Sequence, residues 1–145
     1  MNMRNSAMED RPALPARAVV LGPGEGRGYE MPTMRAVFKA DGVESGGRFS
    51  ASEWWLAPDS AGPGPHSHAD NDEVFYVTEG TVSIRVGDIW VEAEQGAFVL
   101  IPAGVTHDFK NRSDRRAGLF NVFLAGTFER DMPAIVEWYA RAKKA

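Results

Sequence analysis

TVSIRVGDIWVEA, residues 81–93, decides the fold class. Val82, Ile84 and Val86 alternate with Thr81, Ser83 and Arg85, the period-two pattern of a strand with one face buried. Gly87-Asp88 then joins this run to IWVEA, as the tight turn of a hairpin does. Similar short runs lie on both sides. Upstream are MRAVFKA (34–40), RFSASEWWLA (48–57) and EVFYV (73–77); downstream are AFVLI (97–101), THDFKN (106–111) and GLFNVFLA (118–125). Each is bounded by turn residues, and no alternation of strands with helices appears. An all-β sandwich or small barrel is therefore expected.

The flanks differ. Residues 1–16 are polar, carry two prolines and read as a flexible N-terminal arm. ARAVVLG (16–22) is a further strand candidate, and GPGEGRG (22–28) reads as a loop. Its glycines lack the Lys-Ser/Thr that completes a phosphate-binding loop. Near the C-terminus the period changes. Met132, Ile135, Val136 and Tyr139 fall at i, i+3, i+4 and i+7, which predicts an amphipathic helix. Asp131 is a candidate cap, Pro133 suits the first turn, and Lys143 and Lys144 suit the negative end of the helix dipole. The expected organisation is an arm over 1–16, a β domain over 17–126, and a helical segment over 127–145 packed on the β domain or on a partner.

Composition narrows the function classes. With 145 residues and 43% apolar content, the chain suits one globular domain. Sixteen Lys and Arg against twenty Asp and Glu give a net charge of −4, with no basic stripe for nucleic acid or an anionic membrane. The absence of cysteine removes disulfides, thiolate catalysis and Cys-based zinc sites. No apolar run has the length of a signal peptide or a bilayer span, so a cytoplasmic protein is expected.

The chemistry concentrates in HSHADNDE, residues 66–73. In an extended segment His66 and His68 face one side and Ser67 the other. Glu73 opens the EVFYV strand and shares its face with Phe75 and Val77. A carboxylate on a core-facing position is costly without a partner, and a cation held by nearby imidazoles would provide one. His107 shares a face with Val105 and Phe109 and also points inward. All three histidines of the chain thus face the interior of one β domain, with a carboxylate beside them. Imidazole and carboxylate suit first-row divalent metals, so a metal site of His66, His68, Glu73 and His107 is expected. Asp70 and Asp72 are rival carboxylates, but parity favours Glu73.

These residues resemble the two motifs of the cupins. The first, G-x5-H-x-H-x(3,4)-E-x6-G, is met by His66, His68, Glu73 and Gly80, with Ser60 in place of its leading glycine. The second, G-x5-P-x-G-x2-H-x3-N, is met by Gly96, Pro102, Gly104, His107 and Asn111 in GAFVLIPAGVTHDFKN. The resemblance implies a jelly-roll barrel holding a divalent transition metal (Fe, Mn, Ni, Cu or Zn) near its mouth. The motif glycines, Pro102 and Asn111 would shape turns. The tail FERDMPAIVEWYA (128–140) is similar to that of single-domain cupins called quercetin-dioxygenase-like.

Relatives with such a site oxidise, isomerise or decarboxylate small molecules, or only bind them. The reading that the resemblance favours is a metal-dependent oxygenase acting on a small organic molecule. Its alternatives are a non-catalytic ligand-binding cupin and a Lewis-acid isomerase or lyase. Phe49, Trp54 or Trp55, Phe75, Phe109 and Phe123 are candidates to line an apolar pocket for an aromatic substrate. No general acid or base stands out, and no arginine stands clearly beside the ligands to clamp a carboxylate, although Arg35, Arg48 and Arg85 lie on candidate strands. The resemblance also implies a homodimer.

Overall fold

The computed structural model describes residues 17–144. Nine strands are present among them: β1 (Arg27–Glu30), β2 (Met34–Ala40), β3 (Ser50–Leu56), β4 (Glu73–Glu79), β5 (Thr81–Val86), β6 (Ile89–Glu94), β7 (Phe98–Ile101), β8 (His107–Lys110) and β9 (Ala117–Phe123). They form two antiparallel sheets, one of order β1-β2-β3-β9-β4-β7 and one of order β6-β5-β8. This is a jelly-roll arrangement. The alternation read from the sequence explains it: Met34, Ala36 and Phe38 from β2, Trp54 and Leu56 from β3, Phe75 and Val77 from β4, Val82 and Ile84 from β5, and Leu119 from β9 all enter one buried core. Each large aliphatic or aromatic side chain among them, fully buried, contributes about 1.5–3 kcal/mol.

Two expectations need correction. Residues 17–22 form no strand, and Val19, Val20 and Leu21 are exposed. Their apolar character is real, but they pair with no strand of either sheet, and Gly22-Pro23-Gly24 interrupts the run. The loop reading of 22–28 runs two residues too far, because Arg27 begins β1, paired with β2 from Arg27↔Phe38 to Glu30↔Arg35. In this four-residue edge strand only Tyr29 is even partly buried, so it offers no alternation to read. The linker between β2 and β3 holds a single helical turn, α1 (Gly42–Ser45). The arm over 1–16 and the side chains of Lys143 and Lys144 lie outside the described residues.

The C-terminal helix α2 (Met132–Lys144) is present. Asp131 does not cap it from an extended position; it belongs to a 3-10 turn (Glu129–Asp131) that runs directly into the helix. Met132 and Tyr139 are buried, and Ile135 and Val136 pack against the barrel core. The loop before the helix is pinned. Gly126 crosses so close to α1 that a Cβ there would lie 2.7 Å from the Cα atoms of Gly42 and Gly47. Glu129 accepts hydrogen bonds from Arg27 Nε at 2.8 and 2.9 Å and from the Tyr29 hydroxyl at 2.7 Å. The edge strand β1 and the base of the helix are thereby clasped together. No described helix is long and apolar enough to cross a membrane.

Asn111 and Gly62 hold the loop that precedes the histidines. Asn111 Nδ2 donates to the carbonyls of Leu56, Ala57 and Arg115, and its Oδ1 accepts from the Ser113 amide and hydroxyl. Its backbone also bridges Ser60, at 2.9 and 3.0 Å. Ser60 is thus fixed by the strand-like bridge, and the requirement for glycine falls on Gly62, where a Cβ would lie 1.6 Å from the Phe109 carbonyl oxygen. Asn111→Ala should strand several buried carbonyl and amide groups. It is expected to lower unfolding free energy by about 2–4 kcal/mol. A urea titration checks this, and a loss below about 0.5 kcal/mol would show that the loop does not depend on Asn111.

Candidate metal centre

The four expected residues come together. His66 forms an antiparallel bridge to His107, with backbone hydrogen bonds of 3.0 and 2.8 Å in the two directions. The bridge brings their rings to 4.2 Å between centroids. His68 is placed by the Gly104 amide, which donates to its carbonyl at 2.8 Å. Glu73 opens β4 on the inward parity of Phe75 and Val77 and is 4% exposed. The donor atoms of His66, His68, Glu73 and His107 all lie within 4.8 Å of one another.

Their protonation pattern follows from their neighbours. His66 Nδ1 lies 2.8 Å from the Gly64 carbonyl and His107 Nδ1 lies 3.0 Å from the Val105 carbonyl. A carbonyl only accepts, so both Nδ1 atoms carry protons and both Nε2 atoms of the neutral rings present lone pairs. Glu73 Oε2 sits 2.8 Å from His107 Nε2 and 3.5 Å from His68 Nε2. Lone pairs facing lone pairs cannot bond. The buried His68 Nε2, His107 Nε2 and Glu73 Oε2 atoms accordingly have no hydrogen-bond partner. At the close His107–Glu73 contact a positive centre, a proton or a metal, reconciles the two lone pairs. A proton on His107 would do so: burial opposes it, but the Glu73 carboxylate outweighs that and raises the His107 pKa. Burial likewise raises the Glu73 carboxyl, yet its contacts with His107 and His68 prevail and hold it at about 2. His66 is shifted the other way, towards the neutral ring, chiefly by burial.

A divalent metal satisfies the set more fully than a proton. Three neutral imidazoles and one carboxylate carry a single negative charge, and a first-row ion takes nitrogen and oxygen donors of this kind. The Nδ1–H···O=C bonds are also the outer contacts by which proteins orient ligating imidazoles. The residues therefore fit a metal. Asp72 does not compete for this place, because its Oδ1 accepts from the Ala103 amide at 2.8 Å. Asp70 is exposed. Arg35 pairs with Glu30, Arg48 donates to the Ser45 carbonyl, and Arg85 donates to the Gly87 carbonyl, so none clamps a ligand at the cluster.

Beside the cluster lies a cavity of about 660 Å³. Trp54, Phe75, Phe109 and Phe123 line it, as the aromatic pattern predicts. Phe49 does not; it lies on a separate groove, because it sits an odd number of positions from Trp54 and faces outward. Trp55 faces outward too, with Arg116 stacked 4.5 Å from its ring. Sequence reasoning missed the roof. Phe128 precedes the helix, and Ile135, Trp138 and Tyr139 come from α2. It also missed Asn121, whose inward parity in GLFNVFLA between Leu119 and Phe123 was the available signal.

Comparison with known proteins agrees with this geometry. Residues 53–123, which include all four cluster residues, match the family model described as Cupin domain. The polyketide cyclase RemF from Streptomyces resistomycificus is similar in structure, with a TM-score of 0.62 at 20% identity, over 72% of this chain and 78% of its own. TT1209 from Thermus thermophilus gives a TM-score of 0.54 at 27% identity, over 72% and 87%. The uncharacterized protein SCO3923 of Streptomyces coelicolor is 38% identical over 50 residues, which are 34% of this chain and only 45% of that protein. Two antiparallel sheets in jelly-roll order, three histidines and a glutamate converging inside them, and the domain match together make this chain a member of the cupin superfamily.

Proposed function

We propose that this protein is a metal-dependent oxygenase that acts on a small, uncharged, largely aromatic molecule. The observation that carries the reading is the convergence of orphaned imidazole nitrogens and a carboxylate oxygen beside an aromatic cavity. No described lysine or arginine lines that cavity, so away from the metal a charged group such as a sugar's phosphate would find no side-chain counter-charge. A first-row ion held there would supply open coordination positions and, if redox-active, electrons for dioxygen. The chain's own residues do the rest. Trp54, Phe75 and Phe109 bind a flat apolar body, while Ile135 and Trp138 cover it and exclude water.

Metal binding is tested first. Protein freed of metal by a chelator should gain thermal stability on addition of Mn(II), Fe(II) or Co(II), about 2.7 kcal/mol at a hundredfold excess over Kd. His107→Ala should fold and gain far less. The pH dependence follows from the shifts. The depressed Glu73 pKa contributes stability above 4.5 that is lost as pH falls towards about 2. The raised His107 pKa contributes stability below 6.5 that is lost as pH rises through its folded value. The metal-free pair is thus most stabilising between those limits. A metal must displace the His107 proton, so the stability gained on adding metal should grow from about pH 6 to about pH 8. A gain that shrinks over that range would sink the assignment.

Chemistry is tested by oxygen uptake. Protein loaded separately with Fe(II), Mn(II), Ni(II) and Cu(II) should consume oxygen with at least one uncharged aromatic compound from a screened library. Turnover that persists without oxygen would instead identify a Lewis-acid isomerase or lyase. Tight binding without turnover would identify a binding protein.

The same reading makes the protein a homodimer. Tyr76 and Phe98 are cross-strand partners, and Leu100 shares their outward face; these side chains are 45%, 63% and 48% exposed. They lie on β4 and on β7, which forms the free edge of the six-stranded sheet. An exposed apolar edge of this kind is an association surface unless something covers it. A second copy of this chain is the proposed cover. Light scattering should give twice the chain mass for wild type and a monomer for Phe98→Glu; a monomeric wild type at micromolar concentration would exclude the pairing.

A further inference from the structure

We infer that Asn121 is a positioning residue that ties one oxygen of Glu73 away from the cluster and leaves the other as a single, directed ligand. The inference rests on the metal-binding reading above. Asn121 lies on β9, the strand between β3 and β4, opposite Phe75 on one side and Ser52 on the other. It points into the core at 2% exposure, where an amide is costly unless it is hydrogen-bonded. Its Nδ2 donates to Glu73 Oε1 at 2.8 Å and to the Val74 carbonyl at 3.3 Å. The amide orientation is forced, since Oδ1 in that place would set one acceptor against two others.

The two carboxylate oxygens of Glu73 therefore have different tasks. Oε1 is held by Asn121; Oε2 has no hydrogen-bond partner and faces the Nε2 atoms of His107 and His68. A carboxylate free on both oxygens can rotate and can also chelate a metal through both. With Oε1 engaged, rotation is blocked and two-oxygen chelation would forfeit a buried, charge-assisted hydrogen bond. No other described side chain donates to Glu73 Oε1. Residue type matters as well as size. Aspartate at this place would press a second carboxylate against Glu73, and leucine would keep the volume while removing the donor.

The test uses the full chain freed of metal, with Co(II) as the probe. Asn121→Leu should lower Co(II) affinity between about tenfold and a hundredfold, as loss of outer hydrogen bonds to metal ligands does. It should also change the visible absorption of the bound Co(II), which reports coordination number and geometry, while far-UV circular dichroism stays that of wild type. Asn121→Ser, too short to reach Glu73, should behave alike and serves if the leucine variant does not fold. A folded variant with wild-type affinity and a wild-type Co(II) spectrum overturns the inference and leaves the metal site standing. A wild-type protein that takes up no Co(II) overturns the metal site itself, and the role of Asn121 with it.

Discussion

One buried negative charge organises this molecule. Glu73 is the first residue of a strand whose inward face otherwise carries only Phe75 and Val77, and the carboxylate is nearly inaccessible. An isolated charge in such a place would be neutralised or expelled. Here it remains ionised because His107 and His68 stand against one oxygen and Asn121 against the other. The bridge between His66 and His107 then draws the HSH segment, which lies outside the named strands, onto the barrel wall. The fold of this end of the molecule and its chemistry are accordingly one arrangement. Ligand strands, loop and turn are all held where the charge can be met.

Much of that was legible in the sequence because a strand maps onto space simply. With a period of two, the side on which a residue lies is a matter of counting, so the inward aim of Glu73, His107, Phe75 and Phe109 could be read directly. The same counting would have found Asn121 between Leu119 and Phe123, had amides been weighed beside imidazoles and carboxylates. Counting fails where no strand exists. ARAVVLG has strand-like composition, but strand formation requires a neighbour to bond with, and the sheet ends at β1. It fails also for the helix: a stripe of Met132, Ile135, Val136 and Tyr139 announces that something will be covered without saying what. The target is a property of the connection, and the pinned crossing of Gly126 over Gly42 and Gly47 could not be anticipated from spacing.

The cavity joins two sources of structure with different physical demands. Its floor is polar and fixed, since the His66 and His107 rings are each aimed by a carbonyl two residues away in the same chain. Its walls and roof are apolar rings in edge contact, such as Trp54 with Phe109 at 5.9 Å and Phe123 with Phe128 at 5.3 Å. Such surfaces discriminate shape more than charge. A ligand would be oriented chiefly by its own oxygen or nitrogen at the floor, and its body would be selected by fit.

The separation of roof from floor has a consequence for selectivity. Every residue of the cluster lies between positions 66 and 107, whereas Ile135, Trp138 and Tyr139 arrive on a helix joined by one loop, clasped through Glu129 to Arg27 and Tyr29 and packed on the core through Met132. Substitutions at the cavity-facing positions of that helix reshape the chamber without altering a donor atom of the cluster. On the proposed reading, a few changes at helical positions would alter which small molecule fits while leaving the four cluster residues as they are.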